Sequence, residues 1–186
     1  MIRLGVLFAL LAGPAAAHGT LPGGHGFAAG FAHPFVATEH LLALLALGIL
    51  IGRQNTRRPL AGLLAGLIAG FGVGLLALGT LQPLILLSAM VTSSVLAANL
   101  RLSDPIVTGG AVIVGLTVGA DTDGLTMIAA AGTVTGVFAI VLNAMAAAQF
   151  AAPRLNGIPL RIAGSWIAAA ALLILAFLLR PVLGIT

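Results

Sequence analysis

The sequence predicts an all-α fold: a polytopic membrane helix bundle of six transmembrane helices behind a cleaved signal peptide. Three observations carry this reading. Of the 186 residues, 60% are hydrophobic and only 6% are charged, whereas a soluble globule keeps roughly a quarter of its residues charged to hold its surface in water. The apolar residues gather into runs close to the ~20 residues that a helix needs to cross hydrocarbon. No run shows the period-2 alternation of a membrane-spanning strand, so the backbone polar groups must be satisfied within helices.

The elements follow in chain order. Arg3 gives a positive start, Leu4 to Leu11 a short apolar core and Ala15-Ala16-Ala17 a small-residue cleavage site, which together read as a signal peptide over 1–17. That core is too short to span. A Gly- and His-containing extramembrane lead is expected over 18–35, flexible from His18 to Ala32, and a transmembrane domain over 36–186. Within that domain the runs Val36–Gly52, Leu60–Gly79, Pro83–Ala98, Ile106–Ala120, Leu125–Phe150 and Ile162–Leu179 are the six expected spans. The third and fourth are the shortest.

Charge fixes an orientation. All eight basic residues are arginines, against four acidic ones, so the isoelectric point near 11.8 reflects a scarcity of charge and not a nucleic-acid-binding surface. If six helices alternate, Arg53, Arg57, Arg58, Arg101, Arg154 and Arg161 fall on one side and Arg180 alone on the other. The side rich in arginine is the cytoplasmic one. Both the processed N-terminus and the C-terminus are then outside, in agreement with the signal peptide. With no cysteine in the chain, disulfides and thiolate metal sites are excluded.

Gly62, Gly66, Gly70 and Gly74 recur every fourth residue along the second run, giving one helix face without side chains. Such a stripe lets a neighbouring backbone come close. Gly109, Gly115 and Gly119 in the fourth run, with Gly132 and Gly136 in the fifth, extend the pattern.

The candidate chemistry lies near the first span. The chain's four histidines, His18, His25, His33 and His40, and Glu39 occupy one stretch. Ionisable groups within a membrane are costly and face a bundle interior or a water-filled cavity. On one continuous helix His33 and His40 would share a face about 10 Å apart along the axis, with Glu39 about 100° around from His40. Imidazole with carboxylate suits borderline divalent ions such as nickel, cobalt, zinc or copper. The alternative is that Glu39 and His40 only hydrogen-bond neighbouring helices. His18, if it became the first residue, would add an amine and an imidazole as a chelate. Asp121 and Asp123, after the fourth run, would contribute to an anionic vestibule or serve as solvated turn residues. Met90, Met127 and Met145 offer thioethers suited to Cu(I) or fill gaps in the core. For Thr92, Ser93, Ser94 and Asn143, hydrogen bonds between helices are expected.

The stretch His33-Pro34-Phe35-Val36-Ala37-Thr38-Glu39-His40, followed by a Leu/Ala-rich helix and Gly48, resembles the first signature of the HupE/UreJ family, His-Pro-x-x-Gly-x-Asp-His. The resemblance implies a small nickel or cobalt permease of the bacterial inner membrane, multi-pass, tied to hydrogenase or urease maturation. It also implies that His33, Glu39 and His40 handle metal. Ala37 stands at the family's Gly and Glu39 at its Asp. A second signature, Phe-His-Gly-x-Ala-His-Gly-x-Glu, is matched over Ile113 to Asp121, where both histidines are replaced by Val114 and Val118.

Together these readings predict a permease for a divalent transition-metal ion, carried as substrate with no permanently bound cofactor. The expected metal ligands are His33, Glu39 and His40, joined by His18, His25 and Asp121. The expected partners are the metal ion, the lipid bilayer and metalloenzyme maturation proteins, with no nucleic acid; the oligomeric state stays open. The chain has no Gly-rich phosphate loop of the Walker type and no nucleophile–base–acid set, so neither ATP hydrolysis nor enzymatic catalysis is expected. The rival functions are a metal-binding or assembly protein that translocates nothing, a transporter for copper or another metal, and a channel for a small neutral solute.

Overall fold

A helix that is apolar on every side belongs in the middle of a bundle, and the segment Thr38–Gln54 takes that place. The computed structural model describes residues 26–76, 81–122 and 126–180. Among them are seven helices: α1 Phe27–Val36, α2 Thr38–Gln54, α3 Arg58–Gly74, α4 Gln82–Ala97, α5 Asp104–Ala120, α6 Met127–Arg154 and α7 Ile158–Leu179. Helix α2 packs against α4 and α6 and touches α1, α5 and α7. Its Ala43, Leu44, Leu47 and Ile51 are buried in one core with Leu63 and Leu67 of α3, Ile85 and Leu86 of α4, Val114 and Val118 of α5, and Val137 and Val141 of α6.

Sequence chemistry sets the helix ends. Pro59, Pro83, Pro105 and Pro159 stand in the first turns of α3, α4, α5 and α7, where a missing N–H costs no intrahelical bond. Thr126 caps α6 by accepting a hydrogen bond from the Ala129 N–H, as N-cap hydroxyls do.

The glycine stripe behaves as expected along α3. A Cβ on Gly66 would meet backbone atoms of Val112 and Leu116, and one on Gly70 those of Leu116, Gly119 and Ala120. Gly115 and Gly119 reciprocate against Leu63, Gly66, Leu67 and Gly70, so α3 and α5 form the closest pair in the bundle. Gly132 and Gly136 of α6 receive the backbone of α1 at Phe27 and Phe31. Gly109 departs from the pattern: nothing approaches its position within 4 Å.

Two expectations are revised. The lead becomes helical at Phe27, within the 18–35 segment, because Gly132 and Gly136 provide a groove for it. The first span is also not a single straight helix, since α1 and α2 meet at a 79° bend. By length and composition, α6 and α7 are able to cross a membrane, and the bent pair α1–α2 makes a third candidate. Helices α3, α4 and α5 are apolar but have only 17, 16 and 17 residues, about 25 Å at 1.5 Å per residue, somewhat less than a typical hydrocarbon core. The expected signal peptide over 1–17, His18 and His25 lie outside the described residues, as do Asp123 and the last six residues of the chain.

Contacts between elements sort the polar residues into two ends. At one, Arg53 donates to the Asn99 carbonyl, Thr56 to Asp104, Gln149 to Asn55 and Arg161 to the Ala97 carbonyl. At the other, the start of α4 and the end of α5 are joined by the Leu81 N–H donating to Asp121.

Candidate functional site

The break between α1 and α2 makes the site. Pro34, inside α1, has no N–H to donate back along the helix. Three residues on, Ala37 adopts an extended conformation with φ −72° and ψ 106°. Its N–H still closes α1 on the His33 carbonyl, while its carbonyl accepts from the Leu41 N–H to open α2. A negative φ suits any L-residue, so Ala37 serves where the resembling pattern carries Gly. The 79° bend folds the end of α1 over the start of α2. The His33 and His40 rings consequently stand 5.0 Å apart, edge to face at 67°. The expected separation of about 10 Å along one axis is corrected accordingly: the residues are on two helices, and the bend brings them together.

His40 is fully buried. Its Nε2 lies 3.3 Å from Asp121 Oδ2, an ion-pair distance that falls outside hydrogen-bond geometry, and its Nδ1 has no hydrogen-bond partner among the described residues. Asp121 is the C-cap of α5, and its Oδ1 accepts the Leu81 N–H at 3.0 Å. Burial opposes ionisation of this carboxyl. The close contact with His40, the hydrogen bond from the Leu81 N–H and electrostatic attraction to His40 and His33 outweigh that penalty and hold it below the usual carboxylate range. One carboxylate thus joins the α4 start, the α5 end and the α2 start.

The candidate residues are therefore placed unequally. His40 meets both His33 and Asp121, and Glu39 stands half-buried on the position beside His40. It is Asp121, the residue with the weakest claim from sequence, that meets His40. Sequence reading missed the Leu81 N–H altogether, since any backbone N–H is silent in sequence; the acid after a glycine-rich helix was the available signal. Among the described residues no group of three His, Asp or Glu side chains is gathered as a formed metal-binding set.

The other polar candidates do not converge on this cluster. Ser93 donates to the Ala89 carbonyl and Asn143 to the Ala139 carbonyl of their own helices. The expected hydrogen bonds between helices give way to the i−4 carbonyl, which is the nearest acceptor on a helix. Met127 is 91% exposed at the start of α6, while Met145 packs against the core about 27 Å further along the same helix. Val114 and Val118, at the positions of the second-signature histidines, are buried in the apolar core. The α2 residues that follow His40 into the core are the apolar Ala43, Leu44, Leu47 and Ile51.

No match was found among curated proteins or among solved structures. The family model described as HupE / UreJ protein matches residues 6–174, nearly the whole chain. That family is associated with nickel and cobalt uptake for hydrogenase and urease, and its members are transporters and not enzymes. With a bundle of apolar helices and the His-Pro-x-x-x-x-Glu-His stretch at its bend, this chain belongs to the HupE/UreJ family.

Proposed function

We propose that the chain is a six-span permease for a divalent transition-metal ion, nickel or cobalt foremost, which takes the cation in at His33, His40 and Asp121. The observation that carries the reading is a fully buried imidazole, His40, set 3.3 Å from a carboxylate. Imidazole nitrogen with carboxylate oxygen is the donor set that borderline divalent ions take. A carboxylate under a membrane mouth also has to be neutralised by a proton, a partner or a metal. Glu39 adds negative charge beside the cluster, and His18 and His25 precede α1 in the sequence as further imidazoles.

The arginine-rich end of the bundle faces the cytoplasm and the His/Asp end faces outward. Both termini are then outside in a bacterial inner membrane, following removal of residues 1–17. A gradient of the metal or of protons drives transport, and metalloenzyme maturation proteins receive the ion. Substrate selection rests on the outer cluster alone, since Val114 and Val118 replace the second pair of histidines.

A second reading has its own observation. The apolar interior below the cluster favours a protein that binds metal at its outer face without passing it through. Proteoliposomes containing the purified chain and an internal metal-sensitive dye separate the two. The permease reading expects nickel- or cobalt-dependent dye response, reduced roughly tenfold or more by His40→Ala and by Asp121→Asn. Metal binding without any dye response supports the second reading. Flux that is unchanged in both variants overturns the proposed site.

A further inference from the structure

The opposite end of the bundle carries a group of arginines that the uptake reading does not use. Helix α4 ends at Ala97, and the chain turns through Asn99 in a left-handed conformation, φ 58°. Carbonyls freed at a helix C-terminus attract cations, and two guanidiniums meet them here. Arg53 Nη2 donates to the Asn99 carbonyl at 2.9 Å, and Arg161 Nε donates to the Ala97 carbonyl at 3.3 Å. Arg101 and Arg161 both lie within electrostatic reach of Arg53. Of the described acids, Glu39, Asp104 and Asp121, only Asp104 is at this end, and it accepts a hydrogen bond from Thr56. Three positive charges therefore stand near one another, and none of them pairs with a carboxylate among the described residues.

Arg161 also lines an open cavity of about 280 Å³ between α4 and α7, whose other walls are Ala97, Ile158, Ile162 and Ser165. Ile158 and Ile162 are exposed on the surface of α7. Ser165 does not make the wall polar, since its hydroxyl donates to the Ile162 carbonyl of its own helix. Each guanidinium has five N–H donors and spends one here on a carbonyl. The site combines cations that make no ion pair among the described residues with an adjoining apolar groove. A free inorganic anion would match only the cations, and a neutral lipid only the groove.

We propose that α4 and α7 form a binding site for an anionic phospholipid, whose phosphate is held by Arg161, Arg53 and Arg101 and whose acyl chain lies in the Ala97–Ile158–Ile162–Ser165 groove. The bound lipid neutralises the arginine cluster and ties α7, the helix with the least protein cover, to α4. Basic pockets between transmembrane helices are a recurrent way of holding acidic headgroups. The site is remote from His40 and Asp121 and does not depend on the metal reading.

The test uses the full chain purified in a neutral detergent. Native mass spectrometry and thermal melting are measured with added phosphatidylglycerol, with phosphatidylcholine of the same acyl chains, and with inorganic phosphate. Phosphatidylglycerol should be retained and raise the melting temperature, and the other two should do neither. Arg161→Gln with Arg53→Gln should weaken retention about fivefold for each arginine removed. Ser165→Trp fills the groove from an exposed position and leaves the arginines in place, so it guards against a variant that fails to fold. It should abolish retention while leaving the lipid-free melting temperature unchanged. Equal retention of phosphatidylcholine, equal stabilisation by phosphate, or wild-type retention in both variants overturns the proposal.

Discussion

At the scale of single residues, His40 and Asp121 show how one contact serves both shape and chemistry. Asp121 Oδ1 is committed to the Leu81 N–H, and Oδ2 faces the imidazole. Replacing Asp121 with Asn keeps an acceptor for the N–H and removes the charge. It should cost most of the cation affinity, measured by titration calorimetry with nickel, while the melting temperature stays near wild type. Asp121→Ala should lose the affinity and also about 1 kcal/mol of stability, because the buried N–H loses its acceptor. Glu39→Gln should be milder than Asp121→Asn in the same titration, since Glu39 is half-buried beside the cluster and not against His40 Nε2. The reverse order of the two effects would return the principal carboxylate to Glu39. Local sequence favoured Glu39 because it neighbours His40; the contact across 81 positions from His40 to Asp121 is invisible at that range.

At the scale of elements, glycines decide how near two helices lie, and the structure separates those that matter from those that do not. A Cβ on Gly66 would reach the backbone nitrogen of Leu116 at 3.0 Å and still closer to the Val112 carbonyl. Backbone cannot swing aside as a flexible side chain does, so α3 and α5 must part. Gly66→Ala should destabilise by about 1–3 kcal/mol, the range for overpacking. Gly109→Ala, where nothing lies within 4 Å, should be neutral or slightly stabilising, because Gly in a helix costs about 0.5–1 kcal/mol relative to Ala. Thermal or denaturant unfolding of the two variants in detergent provides the comparison, and similar losses in both would remove the packing account. The i, i+4 spacing of Gly62, Gly66, Gly70 and Gly74 made that stripe legible in advance. Nothing in sequence distinguished Gly109 from Gly115, because which face of α5 meets α3 is a property of the pair.

At the scale of the whole molecule, the polar contacts between elements gather at the two ends of the bundle. Arg53, Asn55, Ala97, Asn99, Asp104 and Gln149 share one end, while His40, Leu81 and Asp121 share the other. In the proposed orientation, the arginine-rich first group lies on the cytoplasmic side. Reporter fusions after Asn55, Arg101 and Gly157 should therefore report the cytoplasmic side, and fusions after Asp121 and after Thr186 the outer side. Fusions after Asn55 and Thr186 that report the same side would overturn the six-span arrangement. Helices α3, α4 and α5, at 16–17 residues, would cross a thinned bilayer or sit slightly recessed within the bundle, since a short span is accommodated by local thinning or by its neighbours.

Composition and periodicity by themselves determined the membrane solvent and the all-helical class of this chain. Hydropathy is additive along the sequence, so runs of apolar residues, proline at helix starts and unevenly spread arginines can be read without knowing what touches what. The first-signature stretch likewise pointed to His33 and His40, because both ligand types and their spacing are local. The tertiary structure alone decided the geometry of the cluster. A 79° bend at Ala37 converted two residues seven apart on a notional straight helix into rings 5.0 Å apart. Packing of α5 beside α2 then delivered Asp121 to His40, and packing of α7 against α4 set Arg161 beside Arg53. These meetings depend on helix faces and backbone approach, which are fixed by pairs of distant elements, and no single stretch of sequence contains both members of such a pair.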